Sequence, residues 1–188
     1  MRLLTISLSI LASLACTTQA QAELWAPVAA DSTLSFSAEQ QGAAFEGLFN
    51  QFTATFDMDP ADPTTANIEA TIDMDSVDTL YDERDEALRE PEWFDVERFP
   101  EGRFVSERIQ KAGSGYMADA LLTLRDATRP VALSFTLETL PDGRLRFEGQ
   151  SIVSRLEFGV GNGQWTNTDW VGDSVTIKVS LLLEPTLP

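Results

Sequence analysis

Six stretches of this chain alternate apolar and polar residues with a period of two, and that pattern constrains the fold more than any other feature. Thr33-Leu34-Ser35-Phe36-Ser37, Phe52 to Met58 and Ile68 to Met74 lie in the first half. Val131 to Leu137, Leu145 to Val153 and Val175 to Leu183 lie in the second. Successive side chains on a strand point to opposite faces, so each stretch reads as a strand with one buried and one wetter face. Turn-forming residues separate them: Asp59-Pro60-Ala61-Asp62-Pro63, Gly113-Ser114-Gly115, Pro141-Asp142-Gly143 and Gly159 to Gly163. Some eight to ten short strands joined by tight turns predict an antiparallel barrel or sandwich.

One segment departs from the pattern. Met74 to Phe104 begins as a strand, turns helical and returns to a strand. Within it, Asp82 to Arg89 is rich in helix formers, with acids early and Arg late, as the helix dipole favours. Pro91 ends that helix, Trp93-Phe94-Asp95-Val96 predicts a second helical turn, and Pro100 leads into the next strand. No linker, low-complexity tract or internal repeat interrupts the chain.

The first residues carry an export signal. Met1 and Arg2 supply a positive start, and Leu3 to Ala15 an apolar run of about 13 residues, short of the roughly 20 that span a bilayer. Ala20-Gln21-Ala22 fits a cleavage site, so residues 1–22 read as a signal peptide and 23–188 as one domain in the periplasm. Ala15-Cys16 also resembles the end of a lipoprotein box, but Ser13 stands where such a box wants Leu. Cys16 is the only cysteine, so the mature chain holds neither disulfide nor thiol.

There is no histidine, which removes Ser-His-Asp and Cys-His catalysis and the commonest zinc and haem ligand. A formal net charge of −17 disfavours binding to nucleic acid or to anionic lipid by charge. Two further acidic patterns carry no chemistry. The carboxylates of Asp73, Asp75, Asp78, Asp82, Glu83, Asp85 and Glu86 have no pair held at a catalytic separation and read as a solvated face. Asp57, Asp59 and Asp62 lack the Gly and the closing Glu of a calcium loop. The chain is therefore expected not to be an enzyme.

The apolar parity includes Phe36, Phe45, Phe49, Phe52, Phe56, Phe104, Phe135 and Phe147. Around an eight-stranded barrel such side chains either fill the interior or line a cavity for one small apolar ligand, and parity alone does not choose. Phe158-Gly159-Val160-Gly161-Asn162-Gly163 follows a strand without a βαβ unit, so it reads as a bend rather than a dinucleotide loop.

Several strings in order resemble one family. They are Asp73 to Thr79, Glu83-Arg84-Asp85-Glu86-Ala87-Leu88, Trp93-Phe94-Asp95-Val96, Arg98-Phe99-Pro100, Arg103 to Ser106, Leu122 to Pro130, and Phe158 to Gly161. The ordered set resembles the YceI-like family of bacterial periplasmic proteins from Trp25 to about Leu183. The resemblance implies an all-β, lipocalin-like antiparallel barrel of about eight strands with a short inserted helical segment. It also implies a non-catalytic carrier that holds a polyisoprenoid or an isoprenoid quinone in an apolar pore.

Gly163-Gln164-Trp165 and Thr168 to Val171 resemble the subgroup associated with cytochrome b561-type membrane proteins, which implies a redox partner. Asp126-Ala127-Thr128 departs from the family's usual Gly-Val-Thr, and Trp93-Phe94 from its usual Phe pair.

The candidate ligand-binding residues are Phe36, Phe45, Phe49, Phe52, Arg84, Trp93, Phe94, Phe104, Leu122, Phe135 and Phe158. Arg84 has two readings: it ties the inserted helix down by pairing with Asp75, Asp78 or another acid, or it faces a polar head group at the cavity mouth. Trp93 and Phe94 either pack the helix onto the barrel or wall the ligand. Trp165 and Trp170 either cover a barrel end or present a surface to a membrane partner. The rival function is an interaction module with a filled core, docking on a cytochrome b561-type protein. A homodimer through barrel edges is a further expectation.

Overall fold

The computed structural model describes residues 22–186; the expected leader and Cys16 lie outside the described residues. Eleven strands occur in chain order: β1 (Glu23–Pro27), β2 (Thr33–Gln40), β3 (Ala43–Phe49), β4 (Phe52–Asp59), β5 (Asp62–Asp73), β6 (Val77–Asp78), β7 (Glu101–Ala112), β8 (Gly115–Leu124), β9 (Ala127–Thr139), β10 (Leu145–Ser154) and β11 (Ser174–Pro185). One helix, α1 (Asp82–Arg89), lies between β6 and β7. The predicted strands all form, and the predicted helix has the expected bounds. The second helical turn does not form. Residues 91–98 make irregular turns, in which Phe94 N–H donates to Leu88 C=O and Val96 N–H to Arg89 C=O.

Eight strands close a ring in the order β1-β4-β5-β7-β8-β9-β10-β11, every neighbouring pair antiparallel. The remaining edge of β11 is shared. Its end, Leu183 to Pro185, pairs with β1, while Thr176 to Ser180 pair with β2. From there β2 pairs with β3, and β3 with the two residues of β6. Closure gives each of the eight barrel strands a partner on both sides, so that none is an outer edge of the sheet along its whole length.

The barrel has two ends of different character. At one end inward side chains pack solidly: Phe147 stacks on Phe135 at 4.8 Å between ring centres and meets Phe56 edge-on at 5.2 Å. Tyr116 extends the stack beyond Phe135, and Trp25, Met58, Leu145 and Leu183 fill around it. At the other end lie the β2–β3 turn, the insert between β5 and β7, and the β10–β11 connection.

Three interactions fasten the insert. Asp85, buried, accepts from Thr79 N–H (2.8 Å) and Thr79 Oγ1 (2.6 Å), which ties α1 to the strand before it. Arg89 Nε pairs with Asp75 Oδ1 at 2.8 Å, and its Nη2 donates to the carbonyls of Asp75 and Val77. Arg125, in the β8–β9 turn, donates to the carbonyls of Pro91 and Trp93, and its guanidinium lies 3.7 Å from the buried carboxylate of Asp95. Next to it, Asp126 is exposed, which meets the solvation its charge requires.

Two outcomes test this account. Phe147→Ala should cost about 3–5 kcal/mol, read as a lower urea midpoint with little change in slope, because the packed end cannot collapse around the gap. Arg125→Ala should destabilise by about 1–3 kcal/mol and raise hydrogen exchange at the amides of Phe94 to Val96 before those of β8 or β10. Uniform acceleration across the barrel would show that Arg125 supports the whole fold and not the insert.

Candidate functional site

Above the aromatic floor the barrel is hollow. A cavity of about 490 Å³ lies between the packed end and α1, within the roughly 300–1,000 Å³ usual for ligand pockets. The inward parity of the strands builds its wall: Leu34, Phe36, Ala38 and Gln40 on β2, Ile68, Ala70 and Ile72 on β5, and Val175, Ile177, Val179 and Leu181 on β11. Alanines at three inward positions, Ala38, Ala54 and Ala70, leave space that larger residues would fill. Phe56 and Phe147 form the floor, and α1 with Trp93, Phe94 and Trp165 forms the roof. Of the two interiors that parity left open, the structure has the hollow one: a packed floor below and a second packed cluster under the roof enclose the cavity between them.

Nine of the eleven candidate residues line this cavity: Phe36, Phe45, Phe49, Phe52, Arg84, Trp93, Phe94, Phe104 and Leu122. Two do not. Phe135 points inward but sits behind Phe147, so the floor separates it from the cavity. Phe158 is buried in the 3-10 turn Leu156–Phe158, packed within the upper core and away from the cavity wall.

Arg84 is not tied down by an acid. Asp75 is taken by Arg89, and Asp78 accepts from Leu80 N–H and Asn50 Nδ2. Among the described residues no carboxylate lies within 4 Å of the Arg84 guanidinium, and its buried Nε donates to nothing. The guanidinium lies 4.1 Å from the centre of the Phe45 ring and 5.4 Å from that of Tyr81. Cation–π attraction holds its plane without saturating its N–H groups. Tyr81 donates its hydroxyl to Glu83 at 2.7 Å, which pushes the phenol pKa above its usual value.

Two wall residues escaped the sequence reading. Arg155 is 4% exposed, and all its donors end on main-chain carbonyls: Nε on Gly172, Nη1 on Val160 and Gly161, Nη2 on Trp165 and Val171. Burial pulls its pKa below the usual arginine value, with Asp173 opposing the shift. The cage draws the β10–β11 connection into a fixed loop under Trp93, whose ring centre lies 5.5 Å from the guanidinium. Gly161, at φ +82°, is required there, because a Cβ would collide with the Arg155 guanidinium. Ser151 was findable by parity. It lies on the inward face of β10, buried, and its hydroxyl has no partner among the described residues.

Trp165 and Trp170 separate. Trp165 lies 5.6 Å from Trp93 and joins the roof, whereas Trp170 is 54% exposed. The strand-to-turn glycines bend the chain as expected, Gly159 at φ +66° ending the 3-10 turn.

Comparison with known proteins gives a concordant picture. The family model of the YceI-like domain matches residues 25–183. Protein YceI of Salmonella arizonae is 33% identical over 119 residues, and a UPF0312 protein of Serratia proteamaculans 34% identical over 119. Each alignment covers 61% of this chain and 62% of the relative, so the chain spans a little under two thirds of the length of these relatives. Among solved structures, Burkholderia cenocepacia BcnA superposes with a TM-score of 0.79 at 30% identity, covering 84% of this chain and 99% of BcnA. A polyisoprenoid binding domain from Saccharophagus degradans gives a TM-score of 0.68 at 14% identity over 86% of this chain and 98% of its own, a likeness of fold alone. Family model, barrel and insert agree: the chain belongs to the YceI-like family.

Proposed function

We propose that this protein is a non-catalytic carrier that holds a long isoprenoid chain, of the polyisoprenoid or isoprenoid-quinone type, inside its barrel in the periplasm. The observation that carries this reading is the apolar cavity roofed by α1 and lined almost wholly by aliphatic and aromatic side chains. Its shape suits a flexible hydrocarbon, and its wall offers few polar groups for a compact polar metabolite.

The energetics favour a chain over a small molecule. Each buried CH₂ contributes about 0.8 kcal/mol, so a five-carbon isoprene unit gains roughly 4 kcal/mol at full burial. Association costs about 4–15 kcal/mol, so several units are needed before the complex is stable. The polyisoprenoid-binding domain of Saccharophagus degradans, which shares the fold, supports the same ligand class. The exposed Trp170 beside Asp169 supports a second reading, in which the loaded barrel docks on a membrane redox protein of the cytochrome b561 type.

Organic extraction of purified protein, followed by mass spectrometry, should release a polyprenyl lipid. Empty extracts from several independent preparations, together with no rise in melting temperature on adding isoprenoids, would sink the carrier reading. Ala70→Trp places a large ring in the hollow and should reduce bound lipid by about tenfold or more, with far-UV circular dichroism unchanged. Full lipid content in that variant would show that the chain binds elsewhere.

A further inference from the structure

Five large apolar side chains are exposed among the described residues: Leu24, Leu80, Tyr81, Ile152 and Trp170. Leu24 and Ile152 stand singly on β1 and β10, which is ordinary for a protein surface. The other three border the roof end of the barrel. Tyr81 lines the cavity, and Leu80 precedes it. Trp170 precedes Val171, another lining residue, which bridges to Gln40 at the end of β2. The Trp170 carbonyl accepts from Gln41 N–H at 2.9 Å. Phe45, across the same β2–β3 hairpin, packs under the Arg84 guanidinium, which also faces the Tyr81 ring. One hairpin thus joins the two sides of the rim.

Leu80 is the most exposed of the five, at 89%, and it is held at φ +58°. The left-handed region suits Gly, Asn and Asp, and a Leu there is strained. Its side chain packs against nothing that would offset the strain. Folding alone would favour Asn or Gly at this position, so a strained, solvent-facing Leu points to a role outside the fold.

Spacing and charge decide what covers the rim. The apolar side chains protrude with exposed acids beside them: Asp82 and Glu83 after Tyr81, Asp169 before Trp170. A stable protein interface needs a contiguous face of about 800 Å² per partner. Contact with a bilayer surface does not, because each side chain enters the head-group layer separately, and Trp and Tyr have the amphipathic rings that settle there. The exposed charged residues beside these anchors are all acids, Glu39 and Glu86 included, so anionic lipid is repelled.

We infer that the roof end docks on a bilayer surface of zwitterionic phospholipid, with Leu80, Tyr81 and Trp170 as its anchors. The inference goes beyond the carrier reading, which requires an apolar interior and no contact with a membrane.

The test is sedimentation of the purified mature protein with vesicles of phosphatidylcholine and phosphatidylethanolamine. The wild type should pellet with them, and Leu80→Asp and Trp170→Asp should each bind about tenfold or more weakly. Leu80→Asn should bind about fivefold or more weakly yet melt no lower than the wild type, because Asn tolerates the left-handed conformation. A Leu80 that served only the fold would move binding and melting together. Leu24→Thr, on β1 beside the packed floor, should leave binding unchanged. Replacing a third of the lipid by phosphatidylglycerol, roughly the share at which a surface potential develops, should weaken binding at low salt.

A wild type that stays in the supernatant, or one matched by Leu80→Asp, overturns the inference and returns Trp170 to a protein partner. Tighter binding to the anionic vesicles overturns the choice of surface. Organic extraction reads the carrier function separately, so either can fail while the other stands.

Discussion

Everything inside this molecule depends on how three residues of β1 complete the ring. Trp25 to Pro27 pair with the end of β11, and the same short strand pairs with β4 on its other side through Glu23 to Trp25. Without that bridge, β4 and the end of β11 would be open edges and the base of the barrel would not close. Closure fixes the circumference, and an eight-stranded circumference is just wide enough that side-chain size decides between a packed core and a hole. At the floor the inward residues are Phe and Leu, and the space is full. Nearer α1, alanines occupy Ala38, Ala54 and Ala70, and it is not.

A hollow barrel must be capped by something other than its own strands, and here the cap is held by main-chain carbonyls as much as by acids. Arg125 and Arg155 both direct their guanidinium groups at carbonyls of loops, where they replace hydrogen bonds that an irregular backbone cannot make to itself. This is economical in a chain with 30 acidic and 13 basic residues. Three of the few cations, Arg89, Arg125 and Arg155, are placed where they organise the insert and the loops of the cap. Surface acids remain solvated, as Asp126 is, at little energetic consequence.

The sequence made the strands legible because alternation is a local signal and the sheet honours it nearly everywhere. The helix was legible too, since its acids, Arg89 and Pro91 mark both ends within a few residues. Tertiary partners were not. Arg84 and Arg89 lie one and a half helical turns apart, and only the docking of α1 decides that Arg89 reaches Asp75. Trp93 to Val96 carries a helical composition, yet its amides bond back to the last turn of α1, so the chain wraps and does not continue. Parity identified Phe135 as inward but could not say that Phe147 would stand in front of it. The carbonyl cage of Arg155 had no local signature at all, because its acceptors are scattered from Val160 to Gly172.

The split edge of β11 has a mechanical consequence. Below, the ring is closed by three residue pairs on each side of β1. Above, the wall between β3 and the insert is held by just two residue pairs, Leu48 with Asp78 and Phe49 with Val77. That seam is the line along which the barrel can unzip locally while its base stays hooped, much as a purse opens at the clasp.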